Sequence, residues 1–374
     1  MDFSFSEEQN DLQGLVKQIF EGELTHERLK EVEAGDEQFD RELWGKLAEA
    51  GVLGIALPED VGGGGYGFLE AAIVLEQVGR TVAPIPFLET IVLGALPIAE
   101  FGTAEQRKAI LPGVASGETV LTAALVEPGN PDPLAPATTA SRDGDGWVLH
   151  GVKTCIPAGT VADRVLVPAR SPDGIVIAVV DPGASGVTRE RQITTSGRLE
   201  AHLTLTGVRV ADSDLVGSPQ HGADTLAWTV ERTTAALCAI AIGVCEEALR
   251  MTAEYTKTRE QFDRPIATFQ AVGQRAADAY IDTEAIRLTA WQAIWRLSEE
   301  LPAAAEVAVA KFWAAEGGQR VVHAAQHLHG GMGVDRDYPL HRYFLLAKQL
   351  ELTLGGTTPQ LLRLGRILAD EPVA

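Results

Sequence analysis

Residues 225–259 read TLAWTVERTTAALCAIAIGVCEEALRMTAEYTKTR, and this stretch decides the fold. It runs without a proline for about ten helical turns at 3.6 residues per turn. A helix of that length is unsuited to an isolated surface position and natural in a bundle. Downstream, FQAVGQRAADAYIDTEAIRLTAWQAIWRLSEE (269–300), AEVAVAKFWAAEGGQRVVHAAQHLHG (305–330) and PQLLRLGRILAD (359–370) keep the helical period. Upstream the period changes. TVLTAALVEP (119–128), GWVLHGVKT (146–154), ADRVLVPAR (162–170), GIVIAVVDP (174–182) and AHLTLTGVRV (201–210) are short runs bounded by Gly, Pro and Asp. They predict the strands of a sandwich or barrel.

The amino-terminal part returns to helix. Ser6 can cap a helix whose apolar positions are Leu12, Leu15, Val16, Ile19 and Phe20, with Glu7 and Glu8 in its first turn. FDRELWGKLAEAGVLG (39–54), YGFLEAAIVLEQVGRTV (66–82), FLETIVLGALPIAEFG (87–102) and TAEQRKAILPGVASG (103–117) follow. The pattern predicts an α+β, mostly α chain of three domains: helical over 1–119, a β-barrel or sandwich over 120–217 and a four-helix bundle over 218–374.

With 374 residues, 45% of them apolar and 22% charged, the chain can bury a large core. Its net charge of −21 argues against general nucleic-acid or anionic-membrane surfaces, which need clustered cations. Three cysteines, Cys155, Cys238 and Cys245, make no CxxC pair and too few bridges for a disulfide framework. The first twenty residues are acidic and amphipathic, with no membrane-spanning apolar run. These features point to a cytoplasmic protein.

Several motifs admit both a plain and a functional reading. Gly62, Gly64 and Gly67 satisfy GxGxxG, but a helical segment and Pro58 precede them instead of a strand, so a surface turn is expected. His323, His327 and His329 have helical spacing without a suitable further ligand, so a helix end at Gly330 and Gly331 is preferred to a metal site. Glu231 lies in an otherwise apolar segment. It is either an ion-paired residue on an exposed stripe or a buried carboxylate fit to be a general base. Arg259, Gln261, Arg264 and Gln270, interleaved with Phe262 and Phe269, are either solvated residues of a helix-ending turn or donors for a phosphate-bearing cofactor.

In order along the chain, FGTAEQRKAILPGVASGE (101–118), the EPG of ALVEPGNPD, GVRVADSDLVG (207–217), TREQFDRPIATFQAV (258–272) and HLHGGMG (327–333) resemble an acyl-CoA dehydrogenase. The resemblance covers essentially the whole chain. It implies an FAD enzyme that places a Cα–Cβ double bond in an acyl-CoA thioester: a carboxylate removes the α-proton and the β-hydrogen leaves as hydride to flavin N5. It also implies an electron-transfer flavoprotein as acceptor. Most members carry the base in a YEGT motif, where LTLGGTTPQ here offers only Gly355 or Gly356. A minority carry it before an arginine on the first helix of the last domain, which Glu231 and Arg232 match. Glu231 is therefore the implied catalytic base and Arg232 an implied substrate-binding residue. Arg259, Gln261, Phe262, Gln270, His327, Gly330, Gly331, Val126 and Thr357 are the implied FAD positions, several reaching a neighbouring subunit's cofactor.

The departures from the family are local. Val126 stands where a Thr usually precedes Glu-Pro-Gly, and Cys155, Ile156, Pro157 replace Trp-Ile-Thr on the flavin side. Segment 251–282 and the endings HGGMGVDRDYPLHRYF and LGGTTPQLLRLGR are similar to the short chains of bacterial steroid side-chain acyl-CoA dehydrogenases, α2β2 assemblies in which each heterodimer holds one FAD. The implied substrate is a steroid-type or other bulky or branched acyl-CoA. Two roles are compatible with this resemblance: a catalytic chain of a homo- or heterotetramer, or a supporting subunit that completes a partner's FAD site.

Overall fold

The computed structural model describes residues 4–370. In chain order it has helices α1 (Glu7–Glu23), α2 (His26–Ala34), α3 (Arg41–Glu49) and α4 (Phe68–Thr81), a π-helical segment Leu88–Ala95, then α5 (Leu96–Phe101) and α6 (Ala104–Ala115). Strands β1 (Leu121–Ala123), β2 (Thr139–Asp143), β3 (Gly146–Pro157), β4 (Arg164–Ser171), β5 (Gly174–Val180), β6 (Val187–Ile193) and β7 (Leu199–Ala211) follow. Helix α7 (Gly222–Thr258) leads to a hairpin of β8 (Glu260–Gln261) and β9 (Arg264–Pro265), and α8 (Gln270–Ser298), α9 (Ala304–His329), α10 (Leu340–Leu352) and α11 (Thr357–Asp370) close the fold. Order and class are those expected from the periodicity: helical, β, then helical.

Local chemistry accounts for the boundaries. Ser6 Oγ accepts from Gln9 N at 3.2 Å while Gln9 Oε1 accepts from Ser6 N at 3.0 Å, a reciprocal capping box that starts α1. Thr103 and Gln106 repeat the device at α6. Helix α9 ends where Gly330 takes φ +61°, a conformation open to glycine. The periodicity missed α2, β2 and β6, whose sequences HERLKEVEA, TASRD and VTRERQI carry too few apolar residues to show one. It also missed α10, which starts just after Pro339.

Two compact units cut across the chain order. One gathers Glu27–Ala71 and Pro84–Thr233. Its sheet has the order β1-β4-β2-β3-β7-β6 with β5 paired to β4; β1 and β2 run parallel to β4 and the other pairs are antiparallel. Trp147, Leu149, Val165, Val167, Leu203 and Leu205 are among the residues filling its core. Gln106 ties α6 to the chain after β7 by donating to the Ser213 and Leu215 carbonyls.

The other unit comprises Met1–His26, Ala72–Ala83 and Thr234–Ala374 as far as they are described. Here α9 packs on α8, α10 and α11. The end of α4 crosses the second part of α7 so closely that a Cβ on Gly79 would stand 2.0 Å from the Ile240 carbonyl oxygen, and one on Gly243 2.0 Å from that of Glu76. Arg287 lies 3.3 Å from Glu246 and 3.8 Å from Glu76, and Arg80 also pairs with Glu246, so these buried or half-buried charges compensate one another. Among the described residues no helix is long and apolar enough to cross a membrane.

Candidate functional site

In the sheet-containing unit, Glu127 of the EPG loop is buried against strand β3. Its Oε1 accepts from Lys153 Nζ at 2.7 Å, Thr138 N at 2.8 Å and Thr138 Oγ1 at 2.6 Å; its Oε2 accepts from Ala137 N and from Asn130 Nδ2 at 3.0 Å. Burial alone would raise its pKa, but these donors outweigh it and hold the carboxyl at about 2. Glu127 is thus a fixed anion that ties loop 127–138 to β3. The adjoining Val126 is half-buried, and its carbonyl accepts from Thr154 N at 3.0 Å.

Next along β3 the register with β7 shifts between Lys153 and Ile156, and Cys155 takes φ +49°. Gln192 Oε1 accepts from Cys155 N at 2.9 Å and pairs with Thr154 Oγ1 at 3.1 Å. The backbone donors of Thr154 and Cys155 are therefore engaged, and Pro157 has none. Cys155 is exposed, and partial burial raises its thiol pKa, with the neighbouring Glu200 acting in the same direction. No signal in the sequence marked Lys153 or Gln192, because their partners, Glu127 and the Thr154–Cys155 backbone, are remote from them in sequence.

Glu231 and Arg232 lie on the first part of α7. The expected contrast between exposed and buried resolves unevenly: Glu231 is half-buried and Arg232 is buried. The Arg232 guanidinium lies 3.8 Å over the Trp228 ring, and Trp228 meets Phe101 edge-on at 5.3 Å. Thr229 and Thr233 turn their hydroxyls back onto the carbonyls one turn earlier. Glu231 is thus a half-buried carboxylate on an otherwise packed helix.

In the helical unit, Phe262 and Asp263 take φ +56° and +60°, the two positive values a tight two-residue hairpin requires. This turn holds Phe262 out, 86% exposed, with Arg259, Gln261 and Gln270 also exposed around it. Arg264 stacks 4.1 Å over Phe269. At the end of α9, His327 is exposed and followed by the exposed Gly330 and Gly331. His329 is buried: its Nδ1 bonds the Ala325 carbonyl at 2.8 Å and its Nε2 the Tyr338 hydroxyl at 3.2 Å. Its ring stacks on Tyr255 at 4.4 Å, and burial holds its pKa below the ordinary imidazole value. His323 packs instead against Phe344, so the three histidines have separate surroundings.

Thr357 donates to Glu316 at 3.2 Å at the start of α11. Just before it, Gly355 has φ +91°, and a Cβ there would press Pro359 at 3.0 Å. The turn requires glycine, so this position cannot easily carry a catalytic carboxylate. The buried Lys311, which sequence reading did not single out, donates to the Leu350 and Glu351 carbonyls at 2.7 and 3.0 Å and secures the entry to this turn.

The family comparisons match all three parts: acyl-CoA dehydrogenase N-terminal domain over residues 6–118, middle domain over 123–208 and C-terminal domain over 220–369. The chain is 45% identical to "Acyl-CoA dehydrogenase FadE27" of Mycobacterium tuberculosis, covering 100% of both chains. Among solved structures, it resembles a variant of the "Tcur3481-Tcur3483 steroid ACAD" with TM-score 0.92 and 48% identity over 97% of this chain and 98% of that one. It resembles the ChsE4-ChsE5 complex from Mycobacterium tuberculosis with TM-score 0.95 and 45% identity over 100% of each. The chain belongs to the acyl-CoA dehydrogenase family, FAD-binding oxidoreductases that act on the CH–CH group of acyl-CoA thioesters.

Proposed function

We propose that this chain is an FAD-dependent acyl-CoA dehydrogenase of the cytoplasm that desaturates a steroid side-chain or similarly bulky acyl-CoA, with Glu231 as the α-proton base. The observation that carries the assignment is the pairing of a half-buried carboxylate on α7 with a glycine at position 355, where φ +91° disfavours any side chain and no alternative base is present. Arg232, fixed by Trp228, sets a positive charge next to Glu231 in sequence and serves the substrate side. Placed near the thioester α-carbon, the Glu231 carboxylate takes the proton as the site excludes water. FAD supplies the two-electron oxidation when bound. An electron-transfer flavoprotein is the proposed acceptor.

The residues fit the two ends of the cofactor unequally. Arg259, Gln261 and Gln270 are exposed donors suited to phosphates and an adenine, with His327, Gly330 and Gly331 as the proposed companion turn and Phe262 as an aromatic surface. Thr357 is a further proposed contact. On the ring side, Val126 and Pro157 offer no side-chain donor, and the Thr154 and Cys155 amides are engaged. This imbalance favours assembly with a second acyl-CoA dehydrogenase chain in an α2β2 complex. It also supports a second reading, in which the chain completes the partner's flavin site without catalysing.

Purification with counted flavin and subunits, followed by dye-coupled turnover, tests the proposal. We expect bound FAD and faster turnover of a steroid side-chain acyl-CoA than of butyryl-CoA. Absence of flavin in both the homomer and every co-expressed complex would overturn the cofactor assignment, and preference for butyryl-CoA the substrate assignment.

A further inference from the structure

We propose that His329 is a positioning residue that, as a neutral imidazole, ties the two cofactor-facing turns of this chain together and so sets how tightly FAD is held. Three segments meet at its buried ring. Helix α9 ends on it, with Gly330 next at φ +61°, so the ring stands at the root of the His327–Gly331 turn. Tyr255, near the end of α7, stacks on it at 4.4 Å with the ring planes 21° apart. The Tyr255 carbonyl in turn accepts from Arg259 N at 2.8 Å and from Thr258 Oγ1 at 3.2 Å, where α7 gives way to the hairpin that begins at Arg259. Tyr338, in the segment leading into α10, lies 3.2 Å from Nε2 and meets Tyr255 edge-on at 6.4 Å.

The hydrogen bonds fix the tautomer. The Ala325 carbonyl can only accept, so Nδ1 carries the proton, and Nε2 is left to accept from the Tyr338 hydroxyl. A second proton would have to enter on Nε2, where the Tyr338 hydroxyl hydrogen already points. Tyr255 from α7 and Tyr338 from the segment before α10 are the titratable groups that face the ring, and Arg250 of α7, paired with Glu247, acts on Tyr338. Among the described residues no carboxylate acts on the imidazole to balance an imidazolium, and burial opposes its charge. The tied arrangement therefore binds fewer protons than a loosened one. It is at full strength above the ordinary imidazole value of about 6.5 and weakens as pH falls below it. Protonation of His327 in the same turn would act the other way, since a cation there favours a phosphate. This role rests on the proposed cofactor positions and not on Glu231 being the base.

Tyr338→Phe and His329→Phe test it in the purified protein, together with any chain that co-purifies, by flavin binding measured from absorbance between about pH 5.5 and pH 8. Tyr338→Phe removes only the hydroxyl donor and should hold FAD about 2- to 10-fold more weakly at pH 8, the worth of one neutral hydrogen bond. Wild type should lose affinity as pH falls below about 6.5. His329→Phe keeps a ring that cannot titrate, so it should bind weakly throughout and lack that step. In flavin-free protein, hydrogen exchange at both 259–268 and 327–338 should be faster in Tyr338→Phe than in wild type. Unchanged affinity in Tyr338→Phe, an acid step retained in His329→Phe, or faster exchange in one turn alone would overturn the role of His329. Full flavin retention in Arg259→Ala would overturn the cofactor positions themselves, and this role with them, even where the two turns loosen together.

Discussion

At the scale of single residues, the buried Lys153–Glu127 pair gives the sharpest energetic expectation. Removing one member strands the other, so Lys153→Met should destabilise the sheet-containing unit by about 3–5 kcal/mol, read from denaturant unfolding. The Glu127 carboxyl titrates lower in the folded than in the unfolded chain. Its stabilisation is therefore complete above the unfolded pKa of about 4 and is lost as pH falls towards about 2. Urea midpoints measured from pH 6 to pH 2.5 should fall less steeply in Glu127→Gln than in wild type. Lys311 has the same pH sense in a higher window: burial lowers its pKa to about 8, so its contribution improves as pH rises from about 8 towards its unfolded value near 10.5. Glu127 was legible in EPG as a family mark, but its partners were not. A lysine in a strand shows its burial only once the neighbouring loop is in place.

At the scale of elements, the close crossing of α4 and α7 rests on Gly79 and Gly243. Gly243→Ala would force its Cβ into backbone atoms of α4 and should cost about 1–3 kcal/mol or more, lowering the thermal midpoint of the helical unit. Gly14, also helical, has nothing within 4 Å of the place a methyl group would take, so Gly14→Ala should stabilise by up to about 1 kcal/mol. The contrast tests packing against intrinsic propensity. Long apolar elements such as α7 were readable from sequence because burial imposes their period. Strand β6, VTRERQI, was not, because an edge strand that is mostly exposed carries charges where a central strand carries Val and Ile. The π-helical turn at Leu88–Ala95 was equally hidden, since its composition is that of an ordinary buried helix.

At the scale of the whole molecule, the family order was legible from end to end, and the three matched family segments follow it. What sequence could not show was which side chains within that frame remain available. Arg259, Gln261 and Gln270 face outward, whereas the backbone at Thr154 and Cys155 is already committed. Flavin retention should therefore depend on the hairpin more than on β3. Arg259→Ala should reduce bound FAD in the purified complex, measured by absorbance per chain, while Cys155→Ser leaves it nearly unchanged. The proposed role of Glu231 in removing the α-proton is tested by anaerobic bleaching of the bound flavin by a steroid side-chain acyl-CoA, comparing Glu231→Gln with wild type at equal flavin content. With Glu231 as the base, reduction is slowed by at least about 10²-fold in the variant; reduction at the wild-type rate would exclude Glu231 from that role.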